Sequence, residues 1–326
     1  MKKTLLILLI LPYLLFASID YSHHPQAKAF VNQMYKKYKF DKRTLYKLLK
    51  KAKHQPKTLG RYNGRLKVGA TDFSWHRYKS KILIPESIAL GREFMRDNKK
   101  WLKKAQNQYG ISPSIITAFI RVESKFGMYG SEYSVWDSLV TLAFNKNRKQ
   151  KFFRGELEKS LVLARREHLN VRDLRGSFAG AMGCVQQVPS MYLRHGVDLD
   201  GDGRRNPNAM ADCIGSIASF LHRQKWNNRL PAVVRASYPG KRFRALRTGY
   251  RTRYPMSKIT AHGVKARKAF PYKSAYLVKV RDTNFDELYL GTRNYRIITR
   301  YNASARYAVT IALYAEAMER EWRGIK

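Results

Sequence analysis

Two cysteines in 326 residues cannot build a disulfide-dense scaffold or a four-cysteine zinc site. Acidic residues are also scarce: 23 Asp and Glu stand against 64 Lys and Arg, a formal net charge of +41. That imbalance excludes a near-neutral surface and calls for an anionic partner, whether nucleic acid, membrane surface or acidic polymer. Beyond Phe16 no apolar run approaches the roughly 20 residues that a membrane-spanning helix needs. Internal repeats and low-complexity tracts are absent too, which excludes a solenoid. What remains is ordinary for a packed protein of about two domains, with 44% hydrophobic and 27% charged residues.

The N-terminus points to export. Lys2 and Lys3 precede an apolar run from Leu5 to Phe16, broken only by Pro12 and Tyr13, and the small residues Ala17 and Ser18 follow. This order reads as a secretory signal peptide over residues 1–17, with an uncleaved anchor as the alternative. No cysteine lies near the cleavage region, so the expected product is periplasmic and not a lipoprotein. An exported chain seldom meets cellular RNA or DNA, and no base-reading motif is present, so a nucleic-acid partner is not expected.

Apolar residues at helical spacing predict helices over 27–53, 87–108, 136–145, 153–168, 187–195, 212–225 and 303–322, with a polar stretch at 54–69. Gly110-Ile111-Ser112-Pro113 announces another, with Ser112 as N-cap and Pro113 at the first helical position. That helix runs to about Lys125 and stops at Gly127. From about 229 to 292 strand-like fragments such as 276–280 and 287–290 lie among Gly, Pro and Thr. Between Cys213 and Arg281 there is no Asp or Glu, while 17 Lys and Arg occur. A run so unbalanced reads either as a solvated face or as a surface for an anionic polymer.

Three motifs carry chemistry. Ile116, Phe119, Ile120 and Glu123 share one helix face, so a carboxylate stands on an apolar stripe in the last turn. Desolvation and the negative end of the helix dipole both raise a carboxyl pKa, as a general acid near neutral pH requires. The alternative is a buried Glu paired with an arginine. Gly176 to Gln187 interleaves four glycines with small residues, either as a loop over which a ligand approaches backbone closely or as a packing joint. Asp198, Asp200 and Asp202 alternate like the start of an EF-hand loop, with Gly203 at position 6. Position 12 is Ala209, which offers no carboxylate, and the next acid is Asp212. The loop reads as a calcium site or a solvated acidic turn. Cys184 and Cys213 flank this region and either form a disulfide or pack as small apolar side chains.

Taken in order, Glu123-Ser124-Lys125-Phe126-Gly127, Ser177 to Gly183, Asp200-Gly201-Asp202-Gly203 and Ile298-Thr299-Arg300-Tyr301-Asn302 resemble the lytic murein transglycosylase B family from about residue 28 to 322. The resemblance implies a mainly α (α+β) fold: a lysozyme-like helical core, flanking N- and C-terminal helices and a small antiparallel β insertion. It divides the chain into an N-terminal helical region (18–90), a catalytic core with the calcium loop (91–228), the basic β-rich insertion (229–292) and a C-terminal groove strand and helix (293–326). It implies cleavage of the MurNAc–GlcNAc bond of peptidoglycan without water, leaving 1,6-anhydro-MurNAc ends. Glu123 matches the single acid/base, and no second catalytic carboxylate is required, unlike in hydrolytic glycosidases.

By the same resemblance, Tyr78, Ser177, Gln186, Tyr301, Asn302 and Tyr307 contact saccharide, and Arg148 and Lys149 form a basic pair near the groove. Asp198, Asp200, Asp202, Arg204 and Asp212 form the metal loop, so structural calcium is expected and no cofactor for catalysis. Expected partners are peptidoglycan glycan strands and other cell-wall enzymes, with the chain a monomer. Two departures stand out: Val185 where the family has Gly, adding bulk beside Gln186, and Phe220 where a groove Tyr is frequent. A catalytically silent peptidoglycan-binding protein and a hydrolytic muramidase are the competing readings.

Overall fold

The computed structural model describes residues 19–63, 75–282 and 285–325, so the signal-peptide segment 1–17 lies outside the described residues. The N-terminal half is helical. The stretch predicted as one helix over 27–53 is two, α1 (Ala27–Tyr38) and α2 (Lys42–Lys50). The break falls at Lys39, in the left-handed region with φ +57°, and the Asp41 side chain then caps α2 by accepting from the Thr44 amide at 2.6 Å. Pro56 opens α3 (Pro56–Asn63) inside the segment read as polar coil, and α4 (Trp75–Lys79) follows. The amphipathic helix of 87–108 is also two pieces, α5 (Pro85–Asp97) and α6 (Lys99–Tyr109). They part at Asn98, whose side chain turns back to the Phe94 carbonyl at 3.0 Å.

Then comes α7 (Pro113–Ser124), the helix that carries Glu123. Ser112 occupies the N-cap position, but its hydroxyl bonds Ser114 and the Glu319 carboxylate at 3.0 Å instead of the helix amides. Ten of the twelve residues of α7 are buried. Each fully buried Ile or Phe stabilises by about 1.5–3 kcal/mol, so the helix is held from nearly all sides.

A short ladder of β1 (Tyr133–Ser134) with β2 (Arg175–Gly176) brackets α8 (Val135–Phe144) and α9 (Gln150–Arg166). Next come α10 (Pro189–His195) and α11 (Met210–Arg223). The basic segment folds as β3 (Val233–Ser237), β4 (Arg253–Pro255), α12 (Met256–Ala261), β5 (Lys265–Ala266), β6 (Ser274–Arg281) and β7 (Asp286–Gly291). These strands form one antiparallel sheet in the order β4-β6-β7-β3-β5, with Leu277 opposite Leu290 and Val278 opposite Tyr289. Alternation divides its faces. Ala275, Leu277, Leu288 and Leu290 close a small core with Phe243, Leu246, Ile259 and Val264, whereas Val278, Val280 and Tyr289 join the main helical core.

The chain then returns through α13 (Arg293–Tyr301) and α14 (Ala305–Ile325), and α14 packs along α7 and α5. The groove strand expected at the start of 293–326 is therefore a helix. Thr292 caps it by accepting from the Asn294 amide at 3.1 Å, and its apolar face, with Tyr295, Ile297 and Ile298, is buried.

Candidate active site

Glu123 stands in the last turn of α7, and the helix ends immediately beyond it. Lys125 and Phe126 both adopt left-handed backbone, φ +47° and +62°, with their amides returning to Arg121 O and Ile120 O at 3.0 and 3.3 Å. A bulky residue in that region is uncommon; the Phe126 ring is held there by stacking on Phe94 at 4.6 Å. Ser124 fixes the turn to the glycine-rich loop: its hydroxyl donates to Cys184 O at 2.8 Å and accepts from the Gly127 amide at 2.9 Å.

Among the described residues the Glu123 carboxyl meets one partner, the hydroxyl of Tyr307, which donates to Oε1. Nearby Arg121 turns away, donating to Ser87 Oγ at 2.7 Å and Lys81 O at 3.0 Å. The buried Glu–Arg pair is thereby ruled out among the described residues. Desolvation pushes the Glu123 carboxyl up to about 8, partly opposed by the Tyr307 bond, and no neighbouring carboxylate contributes.

Three tyrosines surround this group. Tyr307 and Tyr301 are both held well above their ordinary range by burial and by the negative charge of Glu123. Tyr78 is raised by the same two causes, while the Arg306 guanidinium, 5.7 Å from its ring, works the other way. Phe119 on α7 packs edge-on against Tyr301 at 5.1 Å and Tyr307 at 6.2 Å, and the Tyr301 hydroxyl donates to Val185 O.

The loop from Gly176 to Gln187 meets this cluster through Val185 O, which accepts from Tyr301, and Cys184 O, which accepts from Ser124. A Cβ at Gly176 would lie 1.8 Å from Ala181 O, and one at Gly183 1.8 Å from Pro207 O, so both close approaches demand glycine. Ser177 Oγ accepts from the Ala179 and Ala181 amides at 3.3 and 3.2 Å, which spends its lone pairs on the loop and leaves its proton to donate. Gln186, at φ +47°, donates through Nε2 to Gly130 O and Gly183 O at 2.9 and 2.8 Å, leaving Oε1 open. Asn302 is exposed at the C-cap of α13, one residue past Tyr301. Arg148 and Lys149, by contrast, sit exposed at the start of α9 and no contact joins them to Glu123. Arg148 lies 5.9 Å from the Tyr62 ring, in a separate cluster with Phe153 and Phe178.

Of the metal-loop residues, Asp198, Asp200 and Asp212 bring carboxylate oxygens within 4.8 Å of one another. Asp212 is fully buried, accepts from the Leu199 and Asn206 amides at 2.8 and 2.7 Å, and is pushed up to about 6 by desolvation and the neighbouring aspartates. Three crowded carboxylates, one without solvent, suit a hard cation. Asp202 stands outside that cluster: its carboxylate accepts from the Arg204 amide at 2.8 Å and closes the turn. Arg204 is exposed and supplies no carboxylate. Beside this loop Cys184 and Cys213 are joined in a disulfide, Cα atoms 6.1 Å apart, which ties the glycine-rich loop to α11.

Residues 22–316 match the family model described as the transglycosylase SLT domain. Over 308 residues the chain is 30% identical to membrane-bound lytic murein transglycosylase B of Escherichia coli (strain K12), covering 92% of this chain and 84% of that one. The structure of Escherichia coli lytic transglycosylase SLT35 in complex with calcium superposes with a TM-score of 0.84 at 32% identity, covering 93% and 95% of the two chains. Soluble lytic transglycosylase SltB1 from Pseudomonas aeruginosa gives 0.83 at 30% identity, covering 92% and 100%. The chain belongs to the lytic transglycosylase family.

Within that family two of its departures resolve differently from the sequence expectation. Val185 is fully buried, so its extra bulk lies in the core and not beside the groove. Phe220 is buried too, and packs edge-on behind Tyr301 at 5.0 Å, supporting that ring without lining the groove. Sequence reasoning placed Phe119 on the Glu123 face without a role toward the tyrosines, and it did not single out Arg306 over Tyr78, the support from Phe94, or the tether through Ser124. Arg306 adjoins Tyr307 and Ser124 adjoins Glu123, so proximity to motif residues was the one available signal.

Proposed function

We propose that this transglycosylase-family chain is exported and acts as a monomer on peptidoglycan. It cleaves the β-1,4 bond between MurNAc and GlcNAc without water and leaves 1,6-anhydro-MurNAc ends. The observation that carries this reading is Glu123: a half-buried carboxyl on an apolar helix face, raised to about 8 by desolvation and touched, among the described residues, by one hydroxyl. At neutral pH it is mainly protonated, as a general acid must be. It gives its proton to the glycosidic oxygen as the C1–O bond breaks and the GlcNAc hydroxyl departs. The resulting carboxylate takes the proton of the MurNAc C6 hydroxyl as that oxygen bonds to C1. One group thus serves both steps, and its proton is restored. An inverting hydrolase would need a second carboxylate to activate water, whereas this chemistry asks for Glu123 alone.

Tyr307 keeps Oε1 in place so that Oε2 faces the bond. Tyr78, Tyr301, Ser177, Gln186 and Asn302 hold the sugars around it. Asp198, Asp200 and Asp212 hold calcium, whose charge offsets their mutual repulsion and pins the loop. The Glu123→Gln variant tests the assignment. Digests of sacculi analysed by mass spectrometry should show anhydro ends with the parent chain and a fall of about 10²–10⁴-fold with the variant. Residual turnover above about a tenth, or reducing ends one water heavier from the parent, would refute it.

A further inference from the structure

The β subdomain, residues 229–292, carries 15 Lys and Arg against three acids, a bias the chemistry at Glu123 does not use. One concavity in it, of about 800 Å³, is lined by Lys241, Arg244, Arg247, Lys279 and Arg281, with the exposed ring of Phe285 at its side. Two acids also line it, and both are engaged. Asp286 faces Lys279 at 3.9 Å and Arg244 at 4.0 Å, and Asp282 faces Lys79 at 3.9 Å. Lys241, Arg247 and Arg281 are exposed, with no acidic partner among the described residues.

This concavity does not end there. A second, of about 570 Å³, shares Tyr238, Phe285 and Asp286 with it, and a third, of about 530 Å³, shares Arg235, Arg267 and Glu287 with the second. The third reaches Trp75 on α4, the helix whose Tyr78 senses the charge of Glu123. Lys279 and Arg281 lie on the sheet face that closes the small core, whereas Arg235 and Tyr289 lie on the face toward the helices, so the three make one basic trough that turns around the end of the sheet where β6 meets β7.

We propose that this trough is an accessory binding site for an elongated, carboxylate-bearing ligand, namely the acidic stem peptides of a peptidoglycan strand held at or beside the groove. The proposal rests on the function proposed above, since that substrate supplies the carboxylates. Unpaired guanidinium and ammonium groups spread along such a surface recognise spaced carboxylates, which the stem peptides of that substrate carry. Of the aromatic side chains along it, Trp75, Phe243 and Tyr289 are buried and Tyr238 is half-buried, so Phe285 alone is exposed, and a single-stranded nucleic acid, which needs a series of stacking platforms, is disfavoured.

The test combines Lys241→Glu, Arg247→Glu and Arg281→Glu in the full-length chain, with Glu123→Gln added for binding measurements so that the sacculi stay intact. Because these three side chains are exposed and unpaired, the melting temperature should not move. At low salt the triple variant should sediment with sacculi roughly tenfold more weakly than its parent. That difference should vanish in about 0.5 M salt, where charges are screened within a few ångströms. The parent should lose the same factor on sacculi whose carboxyls have been amidated. With Glu123 restored, turnover of a short peptide-free glycan should be unchanged by the three substitutions. Equal binding of parent and triple variant to native sacculi would overturn the proposal. So would undiminished binding of the parent to amidated sacculi, or competition by polyphosphate that exceeds polyglutamate. Loss of turnover in the parent chain on both substrates refutes the proposed function alone, because the binding comparison needs no cleavage.

Discussion

Replacing Glu123 by Gln should stabilise the protein at alkaline pH while destroying its activity. The unfolded carboxyl titrates near 4.5, whereas burial raises it to about 8 in the folded chain. Between those values the folded state binds the extra proton, so stability is fully present below about 4.5 and is lost as pH rises through about 8. The slope is about 1.4 kcal/mol for each pH unit, so the whole window of 3.5 units amounts to about 5 kcal/mol at most. Gln keeps the shape and the Tyr307 contact but never ionises. Its folding free energy, measured by urea denaturation from pH 4 to pH 9 with the parent alongside, should match the parent near pH 4. The gap should then widen steadily in favour of the variant as pH rises. A constant offset across the series would show that Glu123 is no buried titrating acid. The argument that it holds a proton at neutral pH would then fail, whatever the variant does to turnover.

Chelation of divalent ions should lower the melting temperature of the parent chain, because an ion bound only by the folded form stabilises it by mass action. Asp198→Ala or Asp212→Asn should abolish that response, and identical melting with and without chelator in the parent would refute a metal at the loop. Reduction of Cys184–Cys213 should cost about 2–4 kcal/mol in denaturant unfolding, and thiol titration of denatured, unreduced protein should find no free thiol. Tyr307→Phe removes the bond that holds the Glu123 carboxyl down, so the alkaline limb of the activity profile should move to higher pH by about one unit, read from initial rates across pH. An unmoved limb would remove Tyr307 from the site.

How much was legible depended on whether a feature is local. Periodicity located most of the helices, because each buries one stripe, and it marked Glu123 as a carboxylate where an apolar residue belongs. It overran at Lys39 and Asn98, where the chain turns without a Gly or Pro to announce it. The groove strand that the resemblance implied at the start of 293–326 is a helix, because the Thr292 cap and packing beside α14 make it helical. The tyrosine cage belongs to the non-local class. Tyr307 meets Glu123 across 184 positions of chain, and no spacing rule reaches that far. The resemblance supplied those residues, but it could not show that Phe220 and Val185 face inward or that Asp202 closes a turn.

The position of Glu123 is over-determined, which accounts for the strain beside it. Phe126 holds an unfavourable left-handed backbone, a conformation that persists only when its surroundings impose it. Those surroundings are the Phe94 stack, the Ser124 bridge to Cys184 O, and α14, which presents Tyr307 while lying against α7. Cys184 is in turn bonded to Cys213, one residue after the buried metal-loop acid Asp212. A chain of direct contacts therefore runs from the aspartate loop through the disulfide and Ser124 to the end of α7. Loosening either end of it would let the last turn of α7 move. On the proposed function this carboxyl would give a proton to the glycosidic oxygen and take one from the MurNAc C6 hydroxyl, and such a group would tolerate little motion, since misplacement by about 1 Å can cost a hundredfold in rate. On that function the aspartate loop would act on the chemistry by holding α7 still, without touching the sugar.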